Sequence, residues 1–92
     1  MTYAKRTDST QREIVDALRK LGYAVVDLSR VGGGVPDLLV AAGASDVFLV
    51  ECKAPKGTLR ASQEAFRRRW PGQVEVWRSA EDVLRAHGER IA

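Results

Sequence analysis

The chain has 92 residues, 45% hydrophobic and 29% charged, which leaves room for one domain over residues 1–92 and excludes both a second core and a wholly disordered chain. Lys and Arg total 15 against 12 for Asp and Glu, a formal charge of +3 that favours polyanionic partners, while one cysteine (Cys52) and one histidine (His87) exclude an internal disulfide and a thiolate–imidazole zinc site. No run approaches the roughly 18 apolar residues of a membrane span, and the opening MTYAKRTDST lacks the apolar stretch of a signal peptide, so no membrane partner and a cytoplasmic location are expected.

Thr10 with Glu13 three residues on reads as a capping box, and Ile14, Leu18 and Leu21 recur at helical spacing until Gly22, which predicts a helix over residues 9–21. At 100° per residue Glu13 lies on the flank of that apolar stripe. It is able to reach the edge of the core, although local sequence alone favours capping as its whole role. The β-branched YAVVDL (23–28) predicts a first strand, closed by the turn-forming RVGGGVP. Residues 37–41 predict a second strand, 43–46 a hairpin turn and 47–53 a third strand of strong propensity, the two pairing antiparallel. Ala54-Pro-Lys-Gly57 breaks the sheet, Thr58 caps a helix running to about Trp70, and Pro71-Gly72 ends it. Residues 73–77 predict a fourth strand, and Ser79 with Asp82 opens a last helix that fades near Gly88. The order αβββαβα predicts an α/β fold with a small mixed β-sheet flanked by helices, the last two strands joined by a parallel crossover.

Alternation along the third strand puts Val47, Leu49, Glu51 and Lys53 on one face and Phe48, Val50 and Cys52 on the other. An acid and a base two apart on an exposed strand are commonplace, but here they end an apolar run that looks central to the sheet, where charges must pair or hold a metal. Asp37 starts the neighbouring strand, so a hairpin about 43–46 brings Asp37 and Glu51 to the same open end. Two adjacent carboxylates repel unless one takes a proton or a cation neutralises both. Mg²⁺, which takes oxygen ligands and keeps several waters, suits that pair. With Lys53 beside them to stabilise charge on a phosphoryl group, the chemistry points to phosphodiester hydrolysis, a metal-activated water being the nucleophile in the absence of a histidine base.

Pro36-Asp37 followed by Glu51-Cys52-Lys53 at the end of an apolar strand resembles the PD-(D/E)xK nuclease signature. The wider pattern, GGGVPDLLV, VFLVECKAPKGTLRASQ and VEVWRSAEDVL, resembles the small, phage-type VRR-NUC nucleases from about Glu13 to Leu84. The resemblance implies a restriction-endonuclease-like core and an Mg²⁺- or Mn²⁺-dependent, structure-selective DNA endonuclease in a bacterial or phage-infected cell. It further implies a homodimer able to act on four-way (Holliday) junctions. By position it makes Asp37 and Glu51 the metal-binding carboxylates, Lys53 the catalytic lysine, Glu13 the first-helix acid, Gln63 the glutamine of the following helix, and the main-chain carbonyl of Cys52 a further ligand.

Leu59, Gln63, Phe66 and Trp70 fall at i, i+4, i+7 and i+11, which sets the Gln63 amide among apolar groups where it needs partners. Alone, that predicts a bond to a strand end; with the resemblance, contact with the lysine, a water or a phosphate. Lys56, Arg60, Arg67, Arg68 and Arg69 give this helix and the loop before it a basic face suited to a DNA backbone. Gly32-Gly33-Gly34 reads as a turn that lets DNA approach Asp37 rather than as a phosphate cradle, since no helix follows it. Cys52, Tyr23, Trp70 and Trp77 read as core residues and His87 as a surface residue. A non-catalytic DNA-binding module of the same fold, its acidic pair structural, is the alternative.

Overall fold

A computed structural model describes the backbone of residues 2–88 and the side chains of residues 9–88. The first helix, α1 (Thr2–Lys20), buries Ile14, Ala17 and Leu18 on one stripe, as their spacing predicts. It starts a full two turns before the expected cap. Nothing in TYAKRTDS breaks a helix, so Thr10 is not a cap but an interior, buried residue. The far end closes as expected at Gly22, whose left-handed φ of 86° lets its N–H reach the Arg19 carbonyl (2.9 Å) and that of Tyr23 the Leu18 carbonyl (3.2 Å). Together they satisfy carbonyls that the helix end leaves open.

Four strands follow in spatial order β1 (Ala24–Asp27), β2 (Leu38–Gly43), β3 (Asp46–Cys52) and β4 (Val74–Trp77). The first three form an antiparallel meander, and β4 returns parallel to β3 after the helix α2 (Ala61–Arg69); α3 (Ala80–His87) closes the fold. The expected order αβββαβα and the mixed sheet are therefore what the chain adopts. Among the described residues no helix is long and apolar enough to cross a membrane.

The pleat divides the sheet chemically. Leu38, Val40, Phe48, Val50, Cys52 and Trp77 join Ile14 and Leu18 of α1 and Val83 of α3 in the main core. Leu49 and Glu51, also buried, point to the other face, where Gln63 of α2 reaches Glu51.

The other differences from expectation have local causes. Helix α2 begins at Ala61 because Arg60, not Thr58, is the extended N-cap residue. It stops at Arg69 because Trp70 precedes Pro71 and is held extended (φ −86°, ψ 117°). Trp70 is not in the core but 46% exposed. His87 is not on the surface: it is 5% exposed, stacked on Phe48 (ring centroids 5.1 Å, 8°) and edge-on to Trp77 and Tyr23. One helical turn from the buried Val83, it falls on the inward stripe of α3, a spacing that the sequence did contain.

Candidate active site

A cleft of about 390 Å³ opens where β2 begins and β3 ends. Its walls are the loop after β1, the loop after β3 and the first turn of α2. Gly32, Gly33 and Gly34 all have positive φ (79°, 65° and 85°). At Gly34 the need is also one of space, since a Cβ there would run into the Ser62 carbonyl. The turn is thereby fixed against the start of α2, where larger residues would push the wall outward.

The floor comes from the sheet register. Pairing Leu38 with Val50 sets Asp37 opposite Glu51, on one face of the sheet. Asp37 is held by its Oδ2, which accepts the Cys52 N–H at 2.8 Å. Glu51 Oε2 accepts the Gln63 amide at 3.0 Å and has Lys53 Nζ at 3.8 Å. Gln63 is itself oriented, because its Oε1 accepts the Arg60 N–H at 2.8 Å. One side chain thus caps α2 and braces the carboxylate.

Glu51 is 4% exposed, and burial pushes its carboxyl up from 4.5 to about 8. The Asp37 charge and a hydrogen bond with the Asp37 carboxyl add to that rise, while Lys53 and Arg60 oppose it. The two positive groups do not offset the cost of two carboxylates in a poorly hydrated corner. Burial likewise pushes the Cys52 thiol up, with Asp37 and Glu51 adding to it, so this cysteine is a neutral core group. Its side chain packs in the core while the residue still lines the cleft, which leaves its main chain as the part facing inward.

Asp37, Glu51, Lys53, Gln63, Arg60 and the main chain of Cys52 are therefore gathered in one place. Others are not. Glu13 does not line the cleft; its Oε2 accepts the Ala80 N–H at 3.1 Å and so caps the start of α3. A carboxylate on the flank of α1 meets the orphan N–H groups of the neighbouring helix end, which draw negative charge. Lys56 is exposed in the loop after β3, and Arg67 and Arg68 stand in the last turn of α2, away from the cleft. Arg78 went unnoticed in the sequence: its guanidinium donates to the Gly57 carbonyl at 2.9 Å and straps the loop that follows Lys53. Its partner is 21 residues away, and no local pattern announces such a contact. Ser29, Thr58 and Ser62 also line the cleft.

The VRR-NUC domain family profile matches residues 2–81 of this chain. The chain belongs to the VRR-NUC family. No curated protein and no solved structure matches it. A VRR-NUC domain is of nuclease type and processes DNA, and in this one the acids and the lysine expected to do the chemistry stand together at the open end of the central hairpin. As for a cation, the donor chemistry fits: two facing carboxyl groups, one of them disfavoured as an anion by burial and by the other's charge, form a site short of positive charge. Among the described residues no group of three or more Asp, Glu, His or Cys surrounds it, and a small ion that takes one or two carboxylates and keeps its waters suits such a site best.

Proposed function

We propose that this VRR-NUC protein is an Mg²⁺- or Mn²⁺-dependent endodeoxyribonuclease that hydrolyses phosphodiester bonds. The observation that carries the reading is the half-buried Asp37 facing the buried Glu51, with Lys53 Nζ 3.8 Å from Glu51. Asp37, Glu51 and the Cys52 carbonyl would hold the ion. When bound, it supplies a water of lowered pKa and a positive charge against the phosphate.

The chain's own groups do the rest. Lys53 offers an ammonium to charge that develops on the phosphoryl oxygens, or orients the attacking water, in a corner where such charge is worth more than in bulk solvent. Gln63 fixes which oxygen of Glu51 faces Lys53. Arg60, at the lip of the cleft, neutralises a neighbouring phosphate, and Lys56, Arg67 and Arg68 extend that positive surface along the backbone. A domain this small covers a short stretch of duplex, so a two-fold dimer presenting two sites to a branched substrate, such as a four-way junction, belongs to the same proposal.

Labelled junction, flap and linear duplex, each incubated with Mg²⁺, Mn²⁺ or chelator, test it. Cleavage is expected with either ion, none with chelator, and a loss of at least about 100-fold in Asp37→Ala and Lys53→Ala with the fold intact. Undiminished cleavage by Asp37→Ala would end the metal reading. Salt-sensitive DNA binding with no cleavage in any ion would leave the non-catalytic module in its place.

A further inference from the structure

The last turn of α2 leaves an indole in water. Trp70 is 46% exposed although Phe66, one turn earlier, is buried, and the two rings lie nearly parallel with centroids 5.2 Å apart (19°). An aromatic of this size normally buries most of its surface. Two features hold it where it is. The main-chain N–H of Trp70 donates to the Phe66 carbonyl at 3.0 Å, which fixes the backbone that carries the ring, and Gly72 lies so close that a Cβ there would stand 2.8 Å from the indole Nε1. The glycine thus provides space for the ring, beyond its part in the turn.

The surroundings are cationic. Arg67, Arg68 and Arg69 are exposed on consecutive residues, the Arg69 guanidinium lies 5.9 Å from the Phe66 ring, and the one acid on α2 is Glu64. The first turn of α2 lines the cleft through Gln63, with Arg60 just before it, and the ten steps from Arg60 to Trp70 span roughly 15 Å at helical rise. We propose that Trp70 is a stacking platform for an unpaired base of DNA, on a strand led from the cleft along α2 with its phosphates held by Arg67, Arg68 and Arg69. A held, flat ring flanked by cations is what single-strand binding uses, because every base offers a π-face and every linkage a charge. A second copy of the chain is the poorer occupant, since a two-fold contact here would set the same arginines against each other. The proposal rests on the nuclease reading only in taking the strand to be part of the substrate.

Its test is equilibrium binding in chelator, where nothing is cleaved. Oligothymidylate and a blunt duplex are titrated against the native protein, Trp70→Ala, Trp70→Phe and Gly72→Ala, with the mass of each variant measured in solution. Trp70→Ala and Gly72→Ala are expected to weaken single-strand binding by at least about fivefold and duplex binding by less than about twofold, with Trp70→Phe close to native. Oligothymidylate is also expected to quench the indole emission of the native protein and not that of Trp70→Phe, whose remaining Trp77 is buried. Unchanged single-strand affinity in Trp70→Ala overturns the proposal, as does an equal loss for both DNAs, or a dimer that falls to monomers with DNA affinity unaltered. If Trp70→Ala binds as the native protein while cleavage persists, only the platform is lost. If the native protein shows the quench yet cleaves no DNA in Mg²⁺ or Mn²⁺, the platform stands and the nuclease reading falls.

Discussion

The two faces of the sheet are built to different rules. On the face covered by α1 and α3, Phe48, Val50, Trp77, Ile14, Leu18 and Val83 exclude water almost completely, and even the one histidine there is stacked on Phe48 and edge-on to Trp77. On the other face α2 meets β3 through the Gln63–Glu51 hydrogen bond, and at the open end the buried residue is Glu51, beside Asp37 and Lys53. The same strand, β3, supplies both sets through alternate residues. Stability is concentrated on one side of it and unrelieved charge on the other, so substitutions one position apart should move different properties.

The sharpest way to break that comparison is to empty the apolar face. Leu18→Ala or Phe48→Ala is expected to cost about 3–5 kcal/mol, measured by urea unfolding; this is much of what a domain of this size has. A loss below about 1 kcal/mol would mean that the core is not where stability resides.

Glu51→Gln should do the reverse. The folded-state value of about 8 lies above the ordinary 4.5, so the group's favourable contribution is fully present below pH 4.5 and is lost as pH rises to about 8. Metal-free native protein should therefore lose on the order of a few kcal/mol across that range, and the neutral glutamine should flatten the dependence and leave the variant the more stable at pH 9. Cleavage should fall by at least about 100-fold in the same variant. A variant that is less stable than native protein at pH 9 in chelator would show that Glu51 is a structural acid after all.

Glu13→Ala separates an acid of the packed side from those of the cleft. Loss of its bond to the Ala80 N–H is expected to cost about 1 kcal/mol in thermal unfolding, with cleavage kept within about tenfold; abolished cleavage would return Glu13 to the acids of the site. The smallest effect belongs to the exposed arginines. Arg67→Ala and Arg68→Ala should each lower the slope of log affinity against log salt for duplex DNA by about 1 and change stability by less than about 0.5 kcal/mol.

How far the site could be read from the chain follows the range of the forces. Asp37, Glu51 and Lys53 were legible because alternation and a short hairpin dictate their faces and register. The early start of α1 and the interior place of Thr10 were not, because a capping pattern is also compatible with mid-helix. Glu13 found its partner 67 residues away and Arg78 its partner 21 away. Neither contact leaves a mark in the local pattern.

By itself the sequence determined the order of elements, the helix stop at Gly22, the pleat that sorts β3 into two faces, and the acids and lysine that meet at its end. Periodicity and backbone sterics act over a few residues and are written in consecutive letters. Only the tertiary structure decided that Glu13 caps α3, that His87 is enclosed by rings, that Trp70 stands in water and that burial pushes the Glu51 carboxyl up. Each of these depends on what a distant segment brings alongside, and burial and charge are properties of that neighbourhood rather than of the residue.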